Sequence, residues 1–98
     1  MNTKERSFLR SKANPIKPLV FLGKDGISEN VLAEVETALF HNELIKLSVL
    51  KACPTDAKSA ANEIAQRTGS EVVQVLGGKI TLYKLTDKDN FEHILDKM

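Results

Sequence analysis

The stretch Leu19-Val-Phe-Leu-Gly23-Lys24-Asp25-Gly26-Ile-Ser28-Glu29 joins an apolar run to two glycines that bracket a charged pair, and a helix start follows at once. Glycine tolerates positive φ and has no Cβ, so such a loop can turn sharply and let another backbone come close. The first turn of the helix beyond it leaves N–H groups unpaired at the positive end of the helix dipole. Lys24 adds a mobile ammonium at the tip. A sugar-phosphate backbone suits these properties. A plain strand-to-helix turn would use the same glycines for their φ angles alone, and so short a motif does not choose between the two.

Upstream of the loop, Pro18–Leu22 reads as a short buried strand whose unbroken apolar character points to a central place in a sheet. Downstream, Ser28 is a good N-cap, Glu29 suits the first turn, and Val31, Leu32, Val35, Ala38 and Leu39 recur at helical spacing. The outer face of that helix carries Glu34, Glu36 and, near its end, Glu43, which would repel a polyanion and leave only the N-terminal tip as a contact. Residues 1–24 hold Lys4, Arg6, Arg10, Lys12, Lys17 and Lys24 against Glu5 alone. This is a net +5 in a chain whose total is +1, so the remainder sums to −4. The asymmetry predicts a positive face that contains the glycine loop; a solvated basic helix without a partner is the alternative.

The other elements follow from periodicity and punctuation. Thr3–Ala13 reads as a helix capped by Thr3 and anchored by Phe8, Leu9 and Ala13, and Asn14-Pro15 ends it. Leu44–Lys51 alternates, with Ile45, Leu47 and Val49 on one side and Lys46 and Ser48 on the other, as a half-exposed strand does, and Pro54 breaks it. Thr55 caps a third helix that runs to Arg67, with a narrow face of Ala57, Ala60, Ala61, Ile64 and Ala65, and Gly69 stops it. Val72–Leu76 and Lys79–Leu85 flank Gly77-Gly78, a two-residue hairpin signal. The order α-β-α-β-α-β-β predicts an α/β domain with a mixed sheet, parallel connections and helices covering a face. In residues 86–98, Phe91, Ile94 and Leu95 have the spacing of a short helix that Asp89 or Asn90 could cap. With four carboxylates against Lys88 and Lys97, this tail is a poor contact for a polyanion, and it either docks on the body or frays.

At 98 residues, 42% hydrophobic and 28% charged, the chain has the size and composition of one small globular domain. Its one cysteine, Cys53, can form no internal disulfide and lacks the spaced partners of a structural zinc site. No apolar run has the length of a membrane span, and the N-terminus lacks the apolar core of a secretory signal, so a cytoplasmic protein is expected.

With this order of elements the chain resembles a YhbY-type CRM domain, the RNA-binding module of chloroplast splicing and ribosome maturation proteins. The resemblance rests on Ala13-Asn-Pro-Ile-Lys17-Pro-Leu-Val-Phe-Leu-Gly23-Lys-Asp-Gly26-Ile, on Val31-Leu-Ala-Glu-Val-Glu-Thr-Ala-Leu39 and on Glu43-Leu-Ile-Lys-Leu-Ser48. It continues in Thr68-Gly69 and Val73-Gln-Val-Leu-Gly-Gly-Lys-Ile-Thr-Leu-Tyr-Lys84. It implies a single compact domain over residues 1–85, four strands and three helices, similar to the C-terminal domain of bacterial translation initiation factor three, with 86–98 as a tail that has no counterpart in the family pattern. It also implies that the GxxG loop is the RNA contact: Gly23, Lys24, Asp25 and Gly26, joined by Lys17, Lys46 and Lys84. Arg6, Arg10 and Lys12 of the first helix would extend the positive surface. Small stand-alone members of the family are associated with precursors of the large ribosomal subunit, so the implied partner is large-subunit rRNA in pre-ribosomal particles; the protein is expected to act as a monomer without a cofactor.

Catalysis has little to work with. His41 and His93 are far apart in the sequence and read as surface histidines, and Cys53 reads as a small half-buried residue rather than a nucleophile. No metal-ligand spacing occurs among the carboxylates. Tyr83 could stack on a base, but a half-buried sheet aromatic is the simpler account. With four phenylalanines, most expected in the core, the chain lacks the aromatic platform that reads single strands. The contact expected is therefore with folded or double-helical RNA, through shape and phosphate position. The competing reading is a protein-interaction module that docks on a ribosomal or assembly protein through the acidic second-helix face or the Phe91, Ile94, Leu95 stripe.

Overall fold

In the computed structural model, which describes residues 1–98, strand β2 (Leu44–Val49) lies between two different partners. Strand β1 (Val20–Leu22) pairs with it in parallel, Val20 opposite Leu47 and Leu22 opposite Val49. Strand β4 (Lys79–Tyr83) pairs with it antiparallel, Leu44 opposite Tyr83 and Ser48 opposite Lys79. Strand β3 (Glu71–Leu76) joins β4 through the Gly77-Gly78 turn, which completes a mixed sheet of order β1-β2-β4-β3.

Three helices cover the sheet: α1 (Thr3–Ala13), α2 (Glu29–Asn42) and α3 (Ala57–Thr68). The main core forms between the sheet and α2 and α3. Val31, Leu32, Val35 and Leu39 of α2 and Ala60, Ala61, Ile64 and Ala65 of α3 meet Val20, Leu22, Ile45, Leu47, Ile80 and Leu82 there. The small alanine face of α3 lets the helix backbone lie close to the strands. A second, smaller cluster lies on the opposite side of the sheet, under α1: Leu9, Ala13, Leu44, Val73 and Tyr83. Helices therefore cover both faces, and the second layer is only as wide as one helix.

That arrangement reverses two expectations. The unbroken apolar run before the loop is an edge strand, with Leu19 51% and Phe21 55% exposed, and Pro18 at its start suits an edge because it has no N–H to donate. The strand read as half-exposed is the internal one. Its Leu44 and Ser48 are buried on the α1 side, and Lys46 between them is only half-exposed. Two caps also move by one residue. Asn2, not Thr3, caps α1 in a reciprocal box, its side chain accepting from the Glu5 N–H at 2.8 Å while Glu5 accepts from the Asn2 N–H at 3.0 Å. Asp56, not Thr55, caps α3, accepting from the Ser59 N–H at 2.9 Å; this hydrogen bond holds its carboxyl below the usual carboxylate range.

Glu43, which helical periodicity puts on the acidic outer face of α2, has a fully buried side chain. It ends α2 at φ +62°, and this turn swings the carboxylate inward. There it accepts from the Thr86 N–H at 2.9 Å, the Ile94 N–H at 3.0 Å and His93 Nδ1 at 2.6 Å. Burial disfavours the charged carboxylate, but the three donors outweigh it and hold its pKa below the ordinary value. The tail is thus tied to the body. It contains a single 3-10 turn, Ile94–Lys97, instead of an α-helix, and Ile94 and Leu95 pack against the cluster under α1. His93, expected to be a free surface histidine, is a partner of Glu43.

Candidate nucleic-acid interface

The Gly23–Gly26 loop closes as a tight turn, the Gly26 N–H donating to the Gly23 carbonyl at 3.0 Å. Gly26 has φ +62°, and a Cβ built on it would lie 3.3 Å from Pro54 Cγ, so both its conformation and its space call for glycine. Gly23 differs: its φ is not in the left-handed region, and a Cβ there would meet nothing within 4 Å. Lys24 and Asp25 are exposed at the tip, and Ser28 Oγ caps α2 just beyond by accepting from the Val31 N–H at 3.1 Å.

Pairing at the end of the sheet brings two distant segments to this loop. The Leu50 N–H donates to the Leu22 carbonyl at 2.9 Å, and the Val49 N–H donates to the Gly78 carbonyl at 2.7 Å. Lys51, one residue past Leu50, and Lys79, just after the hairpin turn, therefore sit at the same end of the sheet as Lys24. Neither stands out in the sequence, because each follows an element whose end cannot be placed beside the loop without the strand order.

A cavity of about 150 Å³ lies on the sheet face at the end of α1. Arg10 from the helix and Lys46 and Lys79 from the sheet line it together with Gln74, Thr81 and Asn14, and no carboxylate is among the lining residues. The ion pairs of the molecule lie elsewhere: Met1–Glu71, Arg67 with Glu29 and Glu63, His93–Glu43 and Lys97–Glu92. Arg10, Lys24, Lys46, Lys51 and Lys79 have no carboxylate within 4.0 Å, so no ion pair offsets their charge.

The remaining expected contacts are scattered. Arg6 donates to the Val72 carbonyl and, at 3.2 Å, to the Val73 carbonyl, which the bulge between Val72 and Gln74 leaves free. Lys84 Nζ donates to the Thr68 carbonyl at 2.8 Å and closes the end of α3. Both groups serve the fold at the end of the sheet opposite the loop. Lys12 lies over the Phe8 ring, 5.4 Å from its centre, and Lys17 is exposed in the segment between α1 and β1. Tyr83 is buried with its hydroxyl pKa raised, mainly by burial and then by Glu43, so it offers no face to a base. None of the four phenylalanines is buried in the core, contrary to expectation; Phe21 and Phe40 are 55% and 44% exposed. Cys53 is half-buried against the main core, as expected, and His41 lies exposed with its ring edge against Phe40. No helix is long and apolar enough to cross a membrane.

Comparison with known proteins agrees with this architecture. The family model of the CRS1 / YhbY (CRM) domain matches residues 1–84. A Bacillus subtilis protein named "Probable RNA-binding protein YqeI" is 40% identical over 81 residues, 83% of this chain and 84% of its own. A Haemophilus influenzae protein named "RNA-binding protein" is 38% identical over 88 residues, covering 90% of this chain and 89% of its own. The solution structure of a hypothetical protein from Staphylococcus aureus superposes with a TM-score of 0.77 at 36% identity, over 92% of this chain and 94% of that one. Matched almost end to end in sequence and in the arrangement of its sheet and helices, the chain belongs to the CRS1/YhbY (CRM) domain family.

Proposed function

We propose that the protein is a non-catalytic RNA-binding factor that grips the backbone of large-subunit rRNA in pre-ribosomal particles through the Gly23–Gly26 loop and the basic groups around it. The carrying observation is the set of five cations at and beside the loop end of the sheet, Arg10, Lys24, Lys46, Lys51 and Lys79, none of them neutralised by a carboxylate. Such a patch attracts phosphate and releases the counterions condensed on it. The relatives' names support RNA as the ligand. The large-subunit assignment rests on the family resemblance, and we read the protein as a monomer of the cytoplasm. Docking on a ribosomal or assembly protein is the weaker reading, since Ile94 and Leu95 of its apolar stripe are engaged against the cluster under α1.

Binding to a panel of unrelated RNA sequences, measured as a function of salt, tests the proposal. Log affinity should fall with log salt by roughly 0.7 to 0.9 per phosphate neutralised. Lys24→Glu should weaken all sequences about equally and reduce that slope by about one. If the variant binds as tightly as the wild type at both low and high salt, the loop is not the contact.

A further inference from the structure

On the α1 side of the sheet, Leu9 and Ala13, with Phe8, Ile16, Ile94 and Leu95, cover Leu44, Val73 and Tyr83; toward the loop no helix lies over the sheet, and Phe21 and Leu76 are exposed while Ser48 is buried between neighbouring side chains. Across that helix-free area a register row runs Phe21, Ser48, Lys79, Leu76 over the four strands. Val20 and Leu22 point into the main core, so alternation sends the intervening Phe21 to the opposite, open face. Lys79 Nζ donates to Ser48 Oγ at 3.2 Å, which holds the ammonium over the middle of the row. An exposed phenylalanine alone is ordinary in a soluble protein. This one stands one strand from Lys46 and two strands, about 10 Å at the usual strand spacing, from Lys79, which line the cavity with Arg10 and without a carboxylate. The long Arg and Lys side chains readily bridge that distance to the phosphate next to a base lying on the ring.

We propose that this open face seats one unpaired nucleotide of the bound RNA, Phe21 stacking on its base while Arg10, Lys46 and Lys79 hold the adjoining phosphate. The inference rests on the RNA-binding reading and narrows it. A base inside a duplex cannot expose its face to a side chain, so the seat selects RNA with a single-stranded stretch beside the loop, in contrast to the purely shape-reading contact expected from the low aromatic content. Recognition is tolerant of sequence, because every base has a π-face.

The test uses the intact chain, with a 12-nucleotide single strand and a blunt duplex of the same length as probes, read by fluorescence anisotropy. Phe21→Ala should weaken the single strand about 5- to 150-fold, the range that one stacked base contributes, and leave the duplex unchanged. Phe21→Tyr should retain binding, whereas Phe21→Leu, which keeps apolar bulk without a π-face, should not. Lys79→Glu should weaken both probes. The proposal is overturned if Phe21→Ala is silent on the single strand or weakens both probes equally. A wild-type protein that binds neither probe would overturn the RNA-binding reading as well; a wild type that binds, with Lys24→Glu weakened and Phe21→Ala silent, would overturn only the seat.

Discussion

Glu43→Ala is expected to cost about 3 kcal/mol of stability, the lower end of what breaking a buried charged contact removes. At the usual 4–8 °C per kcal/mol for a domain of this size, the melting temperature should fall by roughly 12–24 °C. The size of the effect comes from the donors left behind. The N–H groups of Thr86 and Ile94 and the ring of His93 all aim at one fully buried carboxylate, and without it each loses its acceptor. Glu43→Gln keeps one acceptor oxygen but presents an NH2 group to the remaining donors, and should cost about half as much.

The same contact sets an acid limb. The folded-state pKa of Glu43 lies below its ordinary value of 4.5, so the unfolded chain takes up this proton first as the pH falls. Its stabilisation is therefore complete above pH 4.5 and is lost as the pH drops through the lower folded-state value. Denaturant unfolding between neutral and acidic pH should show this loss in the wild type, with a flatter curve for Glu43→Gln. A Glu43→Ala variant as stable as the wild type would mean that the tail is not held by this carboxylate.

The second large effect is expected at Gly26. Gly26→Val combines the left-handed conformation, worth roughly 1–2 kcal/mol against a side chain, with a β-branched group pushed toward Pro54, for a total of about 2–3 kcal/mol. Gly23→Ala should leave stability within about 0.5 kcal/mol, because a Cβ there meets no protein atom. The pair separates two uses of glycine in one motif. If Gly23→Ala nevertheless weakens RNA binding, the bare backbone at that position is needed for the ligand's approach, since the fold does not require it. Thermal melting and RNA titration of both variants provide the comparison, and a Gly26→Val protein with unchanged melting would refute the strain argument.

The elements themselves are legible in local pattern. Ser28 ahead of the Val31, Leu32, Val35, Leu39 face and Gly69 after Thr68 are signals carried by neighbouring residues, and the helices they bound are the ones found. Strand order is not legible in this way. Whether Leu19-Val-Phe-Leu22 is central or at an edge depends on what lies beside it, and the apolar run reads the same in either place. The site is legible to a similar depth. The loop is local and stands out; Lys51 and Lys79 join it only through pairings between residues 27 and 29 positions apart, Leu22 with Val49 and Val49 with Gly78. Glu43 misleads because helical periodicity assumes that the helix continues, whereas the positive φ at this residue redirects the side chain. The phenylalanines mislead because Leu, Ile, Val and Ala already fill the main core.

Because the hydrogen bonds from Val49 and Leu50 unite chain positions 22, 49 and 78, the loop end of the sheet is a discontinuous surface that exists only in the native chain. No peptide cut from this sequence and no partly unfolded molecule can display it. A polyanion held there engages the native state alone and shifts the folding equilibrium by mass action, by about 2.7 kcal/mol at a hundredfold excess over its dissociation constant. Occupancy and folding are in this way two readings of a single equilibrium.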